Sequence, residues 1–318
     1  MPRASRRGEI ALLAVSLAVA LALAEAAVRL VGSAKDATGY APVRVDRRPI
    51  NSRGYRDFER AIPKPEGVRR AVCLGDSFTW GTSVLVDDAW PQRVERMLSR
   101  ERGERWEAVN LAEPGLNAVQ EASRLDAEGF AYGPDVVVVG YVLNDSEDET
   151  AAEARRAADW IEEHREPSRS LLDGSALVRL VRTRVWAKLE NRRRVAGFRS
   201  MYADDYAGWA AARRAIKAMG GMCRERGVPL VVAIFPLYGN PLDDRYPFAD
   251  VHAQVAQVAG EAGAKVVDLL PLYRGLDWRL LVVRGADDEH PNEIAHRIAA
   301  QAITRAVDEV VPRPVPRP

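Results

Sequence analysis

Asp135-Val136-Val137-Val138-Val139-Gly140-Tyr141-Val142-Leu143-Asn144 decides the fold class of this chain. Four consecutive valines without polar alternation read as a strand buried on both faces, as in the centre of a parallel sheet. The run stops at Asn144-Asp145. Upstream, residues 71–74 form a second apolar run that breaks at Gly75 and delivers Ser77 into a turn closed by Gly81. Residues 106–111, 229–235 and 265–269 read as three further strands. Between them apolar residues recur at helical spacing over 89–100 (Trp90, Val94, Met97, Leu98), 118–130 and 251–262, and again through Ile294, Ile298, Ala302, Ile303 and Val307. Strands alternating with helices in this way predict an α/β fold: a central five-stranded parallel sheet, doubly wound, with crossovers on both faces.

Composition agrees with a globular protein. The 318 residues are 47% hydrophobic and 29% charged, with a formal net charge of +1, and the length suits one large domain with appendages or two small domains. So balanced a charge argues against a dedicated nucleic-acid binder, which carries a basic stripe or domain. The two cysteines, Cys73 and Cys223, fall in predicted core elements and read as buried free thiols rather than a disulfide. Four histidines without paired Cys/His spacing supply no visible metal ligand set, and no cofactor is expected.

At the N-terminus Arg3, Arg6 and Arg7 precede a charge-free run over residues 10–24. Glu25 and Arg29 then interrupt it, but they stand four apart and can pair on one helix face, and apolar character resumes through Val31. About 20 apolar residues span a bilayer, and the basic flank predicts a cytoplasmic N-terminus with the rest exported. Residues 1–33 are therefore expected to be a membrane anchor, with a cleaved signal peptide as the rival reading. Residues 34–67 read as a linker, in which Asn51-Ser52-Arg53-Gly54-Tyr55-Arg56-Asp57 looks like a tight turn packing against the domain. The domain itself is expected over 68–310. A polar, Arg- and Glu-rich stretch at about 146–205 is too long for an ordinary loop and predicts a helical insertion, with helices over 151–166 and 175–196. Its Arg192-Arg193-Arg194 run reads as a solvated helix face. The Pro/Arg-rich residues 311–318 read as an extended, disordered tail.

A serine hydroxyl is unreactive at neutral pH unless a base takes its proton and donors receive the oxyanion. Near the C-terminus stands Asp287-Asp288-Glu289-His290-Pro291-Asn292. Pro291 suits the first position of the following helix and biases His290 to an extended conformation just outside it. An aspartate three residues before the histidine can fold back on the imidazole and set its tautomer. Asp287 has that offset, and Asp288 stays open as an alternative. Four polar features, Ser77, Gly115, Asn144 and the Asp287/His290 pair, each follow a predicted strand, and the carboxyl ends of parallel strands share one rim where ligands bind.

In these features the chain resembles the SGNH hydrolases, also called the GDSL family. Gly75-Asp76-Ser77 is similar to the first block of that family, residues 110–115 (Asn-Leu-Ala-Glu-Pro-Gly) to the second, Asn144-Asp145 to the third, and residues 287–291 to the fourth. The similarity runs over about 70–310, leaving out the insertion. It implies a flavodoxin-like three-layer α/β/α sandwich and ester hydrolysis through an acyl-enzyme. By the same resemblance Ser77 is the nucleophile, His290 the general base and Asp287 its orienting carboxylate. The backbone of Ser77 and Gly115 and the amide of Asn144 form the oxyanion hole. Thr79, standing where an α/β-hydrolase elbow has its second glycine, favours this family over that one. The expected protein is an exported, membrane-tethered serine esterase for an acyl ester such as an O-acetyl group on a cell-envelope carbohydrate. An acyltransferase would use the same residues with a sugar hydroxyl in place of water, and a non-catalytic envelope binding module would not need the full set.

Overall fold

The computed structural model describes residues 6–36, 50–148, 150, 174–181, 187–283 and 289–313. Along the chain run α1 (Arg6–Asp36), β1 (Val68–Gly75), α2 (Ser77–Trp80), α3 (Trp90–Arg102), β2 (Arg105–Asn110), α4 (Ala118–Ala127) and β3 (Val136–Tyr141). Then come α5 (Ala176–Val181), α6 (Ala187–Ser200), α7 (Ala207–Glu225), β4 (Leu230–Ile234), α8 (Ala249–Glu261), β5 (Lys265–Asp268), α9 (Leu270–Tyr273) and α10 (Glu293–Val310). The chain divides into two compact units, residues 1–43 with 159–194, and residues 44–158 with 195–318.

In the first unit, residues 8–30 of α1 are long and apolar enough to cross a membrane, with a mean hydropathy of 2.3. The Glu25/Arg29 pair expected from the spacing forms at 2.7 Å. Glu25 also accepts from the Ala176 and Leu177 N–H groups and from the Ser175 hydroxyl, each at 2.8 Å, and so caps the start of α5. Of the predicted insertion helices, 151–166 lies outside the described residues, and 175–196 corresponds to α5 and most of α6, with residues 182–186 between them also outside.

In the second unit the five strands form one parallel sheet in the order β2-β1-β3-β4-β5, with α3 and α10 packed on one face and α4, α7 and α8 on the other. This is the doubly wound α/β sandwich that the strand–helix alternation predicts. The valines of β3 are fully buried, as their unbroken run requires, because β3 is the middle strand and is covered on both sides. Strand order reverses between β1 and β3, where open parallel sheets leave a crevice at their carboxyl ends.

At that crevice Gly75 pairs with Gly140. A Cβ on Gly75 would stand 2.1 Å from Thr79 Oγ1, and one on Gly140 2.3 Å from the same atom. Both strands need glycine here because α2 folds down over them. Residues 51–57 pack against the domain as expected, but with buried polar anchors: Asp57 is wholly inaccessible, and the Tyr55 hydroxyl donates to Glu128 at 2.8 Å.

Candidate active site

β1 hands the chain to α2 through Asp76, whose Oδ1 accepts from the Phe78 N–H at 2.9 Å and caps the helix. Ser77 is therefore the first helical residue, with its hydroxyl at the rim. His290 comes from the far end of the chain, and its Nε2 lies 2.9 Å from Ser77 Oγ. The loop bearing His290 is tied down on both sides. Val283 donates to the His290 carbonyl at 2.8 Å and Asn292 to the Leu281 carbonyl at 2.8 Å, around an antiparallel bridge between Val282 and Pro291. Here the expectation that Pro291 opens the helix is corrected. Asn292 is the cap, accepting from Ile294 and Ala295, and α10 starts at Glu293. Pro291 instead stands in the bridge, where its missing N–H costs nothing on the unpaired edge. The Phe78 ring packs on the imidazole at 5.7 Å between centroids and is itself backed by Tyr238 and Phe235.

Asn144 sits in the 3-10 turn Leu143–Ser146 that comes after β3. Its Nδ2 donates to Asp76 Oδ2 at 3.0 Å, and that same oxygen lies 3.4 Å from Ser77 Oγ. Gly115 lies in the loop after β2, at φ +82°, where L side chains are strained. Glu113 N donates to the Gly75 carbonyl at 3.3 Å and binds this loop to the end of β1. His290 thus meets Ser77 directly, Ser77 and Asn144 both meet Asp76 Oδ2, and Gly115 lies on the adjoining loop of the same rim. Asp287 lies outside the described residues.

Asp76 joins these groups, although the motif pattern alone assigns it no role. A local signal for it exists: an aspartate directly before a serine at a strand-to-helix turn is a preferred cap. Burial pushes its carboxyl up, while Asn144, the Phe78 N–H and the His290 charge pull it back toward the ionised form. Two more carboxyls lie buried behind it. Glu121, in the first turn of α4, is fully inaccessible, and no hydrogen bond reaches either of its oxygens among the described residues. Burial, reinforced by Asp76, lifts it to about 8. Asp145 Oδ2 accepts from Val142 N at 2.8 Å, and burial together with the Glu121 and Asp76 charges holds its carboxyl well above the usual range.

On the other side of the sheet His296 is buried, and its Nδ1 accepts from the Trp90 N–H at 3.2 Å, capping α3 from outside. Burial, helped by the Arg93, Arg56 and His290 charges, drops it to about 3, so the ring is neutral. It is a packing histidine. Among the described residues no cluster of His, Cys, Asp and Glu has the makings of a metal site.

A family model of the GDSL-like lipases/acylhydrolases matches residues 73–298. Comparison with curated protein sequences returns no match. Among solved structures the chain is similar to TesA, at 16% identity over 76% of this chain and 99% of that one, with a TM-score of 0.46. It is similar at 16% identity to a catalytic mutant of Axe2, an acetylxylan esterase from Geobacillus stearothermophilus, over 75% and 94% of the two chains with a TM-score of 0.46. A third, the psychrotrophic esterase EstA from Pseudoalteromonas sp., matches at 14% identity over 76% and 97%, with a TM-score of 0.43.

Proposed function

This chain belongs to the GDSL-like lipase/acylhydrolase family and is an ester-bond hydrolase, and from that premise we propose that Ser77 is its nucleophile and His290 its general base. The observation that carries this reading is the 2.9 Å contact between His290 Nε2 and Ser77 Oγ, residues 213 apart in the chain. His290 takes the hydroxyl proton as Ser77 Oγ bonds to the ester carbonyl carbon. The carbonyl oxygen becomes an oxyanion, met by the N–H groups of Ser77 and Gly115 and by the Asn144 amide. Asn144 has two N–H bonds on Nδ2; Asp76 accepts one, which aims the other. Collapse breaks the ester C–O bond, and His290 returns the proton to the leaving alcohol. Water then attacks acyl-Ser77 by the same route in reverse, freeing the acid. Asp287 takes the orienting role at His290 on the strength of its offset of three residues, with Asp288 as the alternative.

The substrate is an acyl ester outside the cytoplasm, most simply an O-acyl group on a cell-envelope carbohydrate. What supports this is the apolar span of residues 8–30 with arginines before it, which suits an anchor that leaves the catalytic domain on the exported side. The test uses full-length protein in detergent micelles with p-nitrophenyl acetate and a fluorophosphonate probe. Wild type is expected to hydrolyse the ester and to be labelled on Ser77, and Ser77→Ala to do neither. Equal hydrolysis by the two proteins would overturn the assignment.

A further inference from the structure

The helix that carries Ser77 is only one turn long, and a short helix leaves its last carbonyls to partners elsewhere. Its own bonds run from Trp80 N to the Asp76 carbonyl and from Gly81 N and Thr82 N to the Ser77 carbonyl. The Thr79 and Trp80 carbonyls take donors from outside α2. Asn110, at the end of β2, gives its side-chain amide to Thr79 O at 3.1 Å. Arg56, from the segment before the domain's first strand, gives Nη1 to Trp80 O at 3.0 Å and to Gly81 O at 2.6 Å, and Nη2 to Val84 O.

Arg56 is 4% exposed, so its guanidinium holds these carbonyls away from water. The choice of residue has a reason. A planar fork with several donors can hold three carbonyls at once, and a cation is favourable at the negative end of a helix. The turn is shaped to receive it: Gly81 has φ +81°, and a Cβ there would stand 2.9 Å from Arg56 Nη1. Asp57, the next residue, faces the other anchor. Its Oδ2 accepts from Asn110 N at 3.1 Å and its Oδ1 from Gln92 Nε2 at 3.1 Å, while Arg60 neutralises it at 2.9 Å. The backbone of Asn110 is thus fixed by Asp57, and the side chain of Asn110 fixes α2.

We propose that Arg56 and Asp57 are positioning residues for the hydrolysis: residues 51–60 act as a strap that holds the one-turn helix in place from behind, keeping Ser77 Oγ within reach of His290. The proposal rests on the reading of Ser77 as nucleophile. Both act through α2, Arg56 on its carbonyl end directly and Asp57 through Asn110. Displacement of a reacting group by about 1 Å can cost about 100-fold in rate, so loosening the strap lowers turnover without changing the surface that binds substrate.

The experiment is steady-state hydrolysis of p-nitrophenyl acetate by full-length Arg56→Lys in detergent micelles. It is accompanied by the rate of fluorophosphonate labelling and by circular dichroism at the assay temperature. Lysine keeps the charge but has no fork. We expect kcat to fall about 10- to 100-fold with KM within about twofold, labelling to slow by a similar factor, and the folded fraction to stay unchanged. An Arg56→Lys protein that folds, wholly or in part, and whose kcat per folded molecule equals that of wild type overturns the proposal. If Arg56→Lys does not fold, Asp57→Asn carries the same expectation and the same refutation. Ser77→Ala, assayed alongside, separates the two readings: activity in that variant refutes the nucleophile, whereas an inactive Ser77→Ala beside a fully active Arg56→Lys refutes only the strap.

Discussion

Asn144 Nδ2 donates to Asp76 Oδ2 at 3.0 Å, so the amide proposed for the oxyanion is held by the same carboxylate that caps the helix of Ser77. One buried aspartate therefore sets the relative position of nucleophile and oxyanion donor. Asn144→Ala is expected to lower kcat about 100- to 1,000-fold with little change in KM, as the loss of one oxyanion donor does elsewhere. Asp76→Asn, which offers one acceptor oxygen where the carboxylate has two, should lower kcat in the same direction. Steady-state kinetics on an activated ester decide both, and a KM effect without a kcat effect would count against the role.

Thr79 is wedged against the ends of β1 and β3, and the space it fills is the space a side chain at Gly140 would need. Gly140→Ala is expected to cost about 1–3 kcal/mol of stability by overpacking and to reduce activity by tilting α2. The double variant Gly140→Ala/Thr79→Ala should recover much of that loss, since the clashing Oγ1 is gone. Chemical denaturation of the four proteins of this cycle gives the coupling.

Glu121 has its folded carboxyl lifted to about 8 against an ordinary value of 4.5. Between those values the folded state holds a proton that the unfolded state has lost, so this group makes stability fall as pH rises. Glu121→Gln removes the effect. Relative to wild type, the variant should gain stability as pH goes from 5 to 8, by up to about 1.4 kcal/mol per pH unit. Denaturant midpoints at pH 5, 6.5 and 8 are the measurement.

His296 has the opposite sign. Its folded value of about 3 lies below the ordinary 6.5, so the unfolded state binds the proton first and stability is lost as pH falls below 6.5. His296→Gln, which can still accept from Trp90 N, lacks this liability. The variant should therefore improve relative to wild type on acidification from pH 7 to pH 5, whereas Glu121→Gln should worsen over the same interval. Parallel titrations of the two variants would refute the assignments if both moved in one direction.

The strands are legible in the sequence because their signal is local. The β3 valines, the 71–74 run and the 229–235 run announce buried strands by composition alone, and the observed strands differ from those spans by a few residues at their ends. The candidate Ser77 is legible because a glycine break after an apolar run is turn chemistry. The fourth motif is legible in part: the loop before the last helix is there, but Asn292 rather than Pro291 marks its start, since a side chain that accepts two N–H bonds outcompetes a residue that only tolerates the position.

The role of residues 51–60 cannot be read that way. Arg56 and Asp57 look like a polar turn in a linker, and nothing in their neighbours points to Trp80, Gly81 or Asn110. The same holds for Glu121 and His296, whose helical positions are unremarkable until α4 and α10 are packed on the sheet and their side chains are sealed in. The sequence by itself determined the class of fold, the order of its elements and the candidate serine and histidine, because periodicity and turn propensity are properties of short stretches. Only the tertiary structure decided that β1 lies between β2 and β3, that Ser77 meets His290, that Asp76 holds Asn144, and that Arg56 closes the Ser77 helix from behind. Those are contacts between distant segments, set by sheet register and burial, and register is fixed only when the whole core packs.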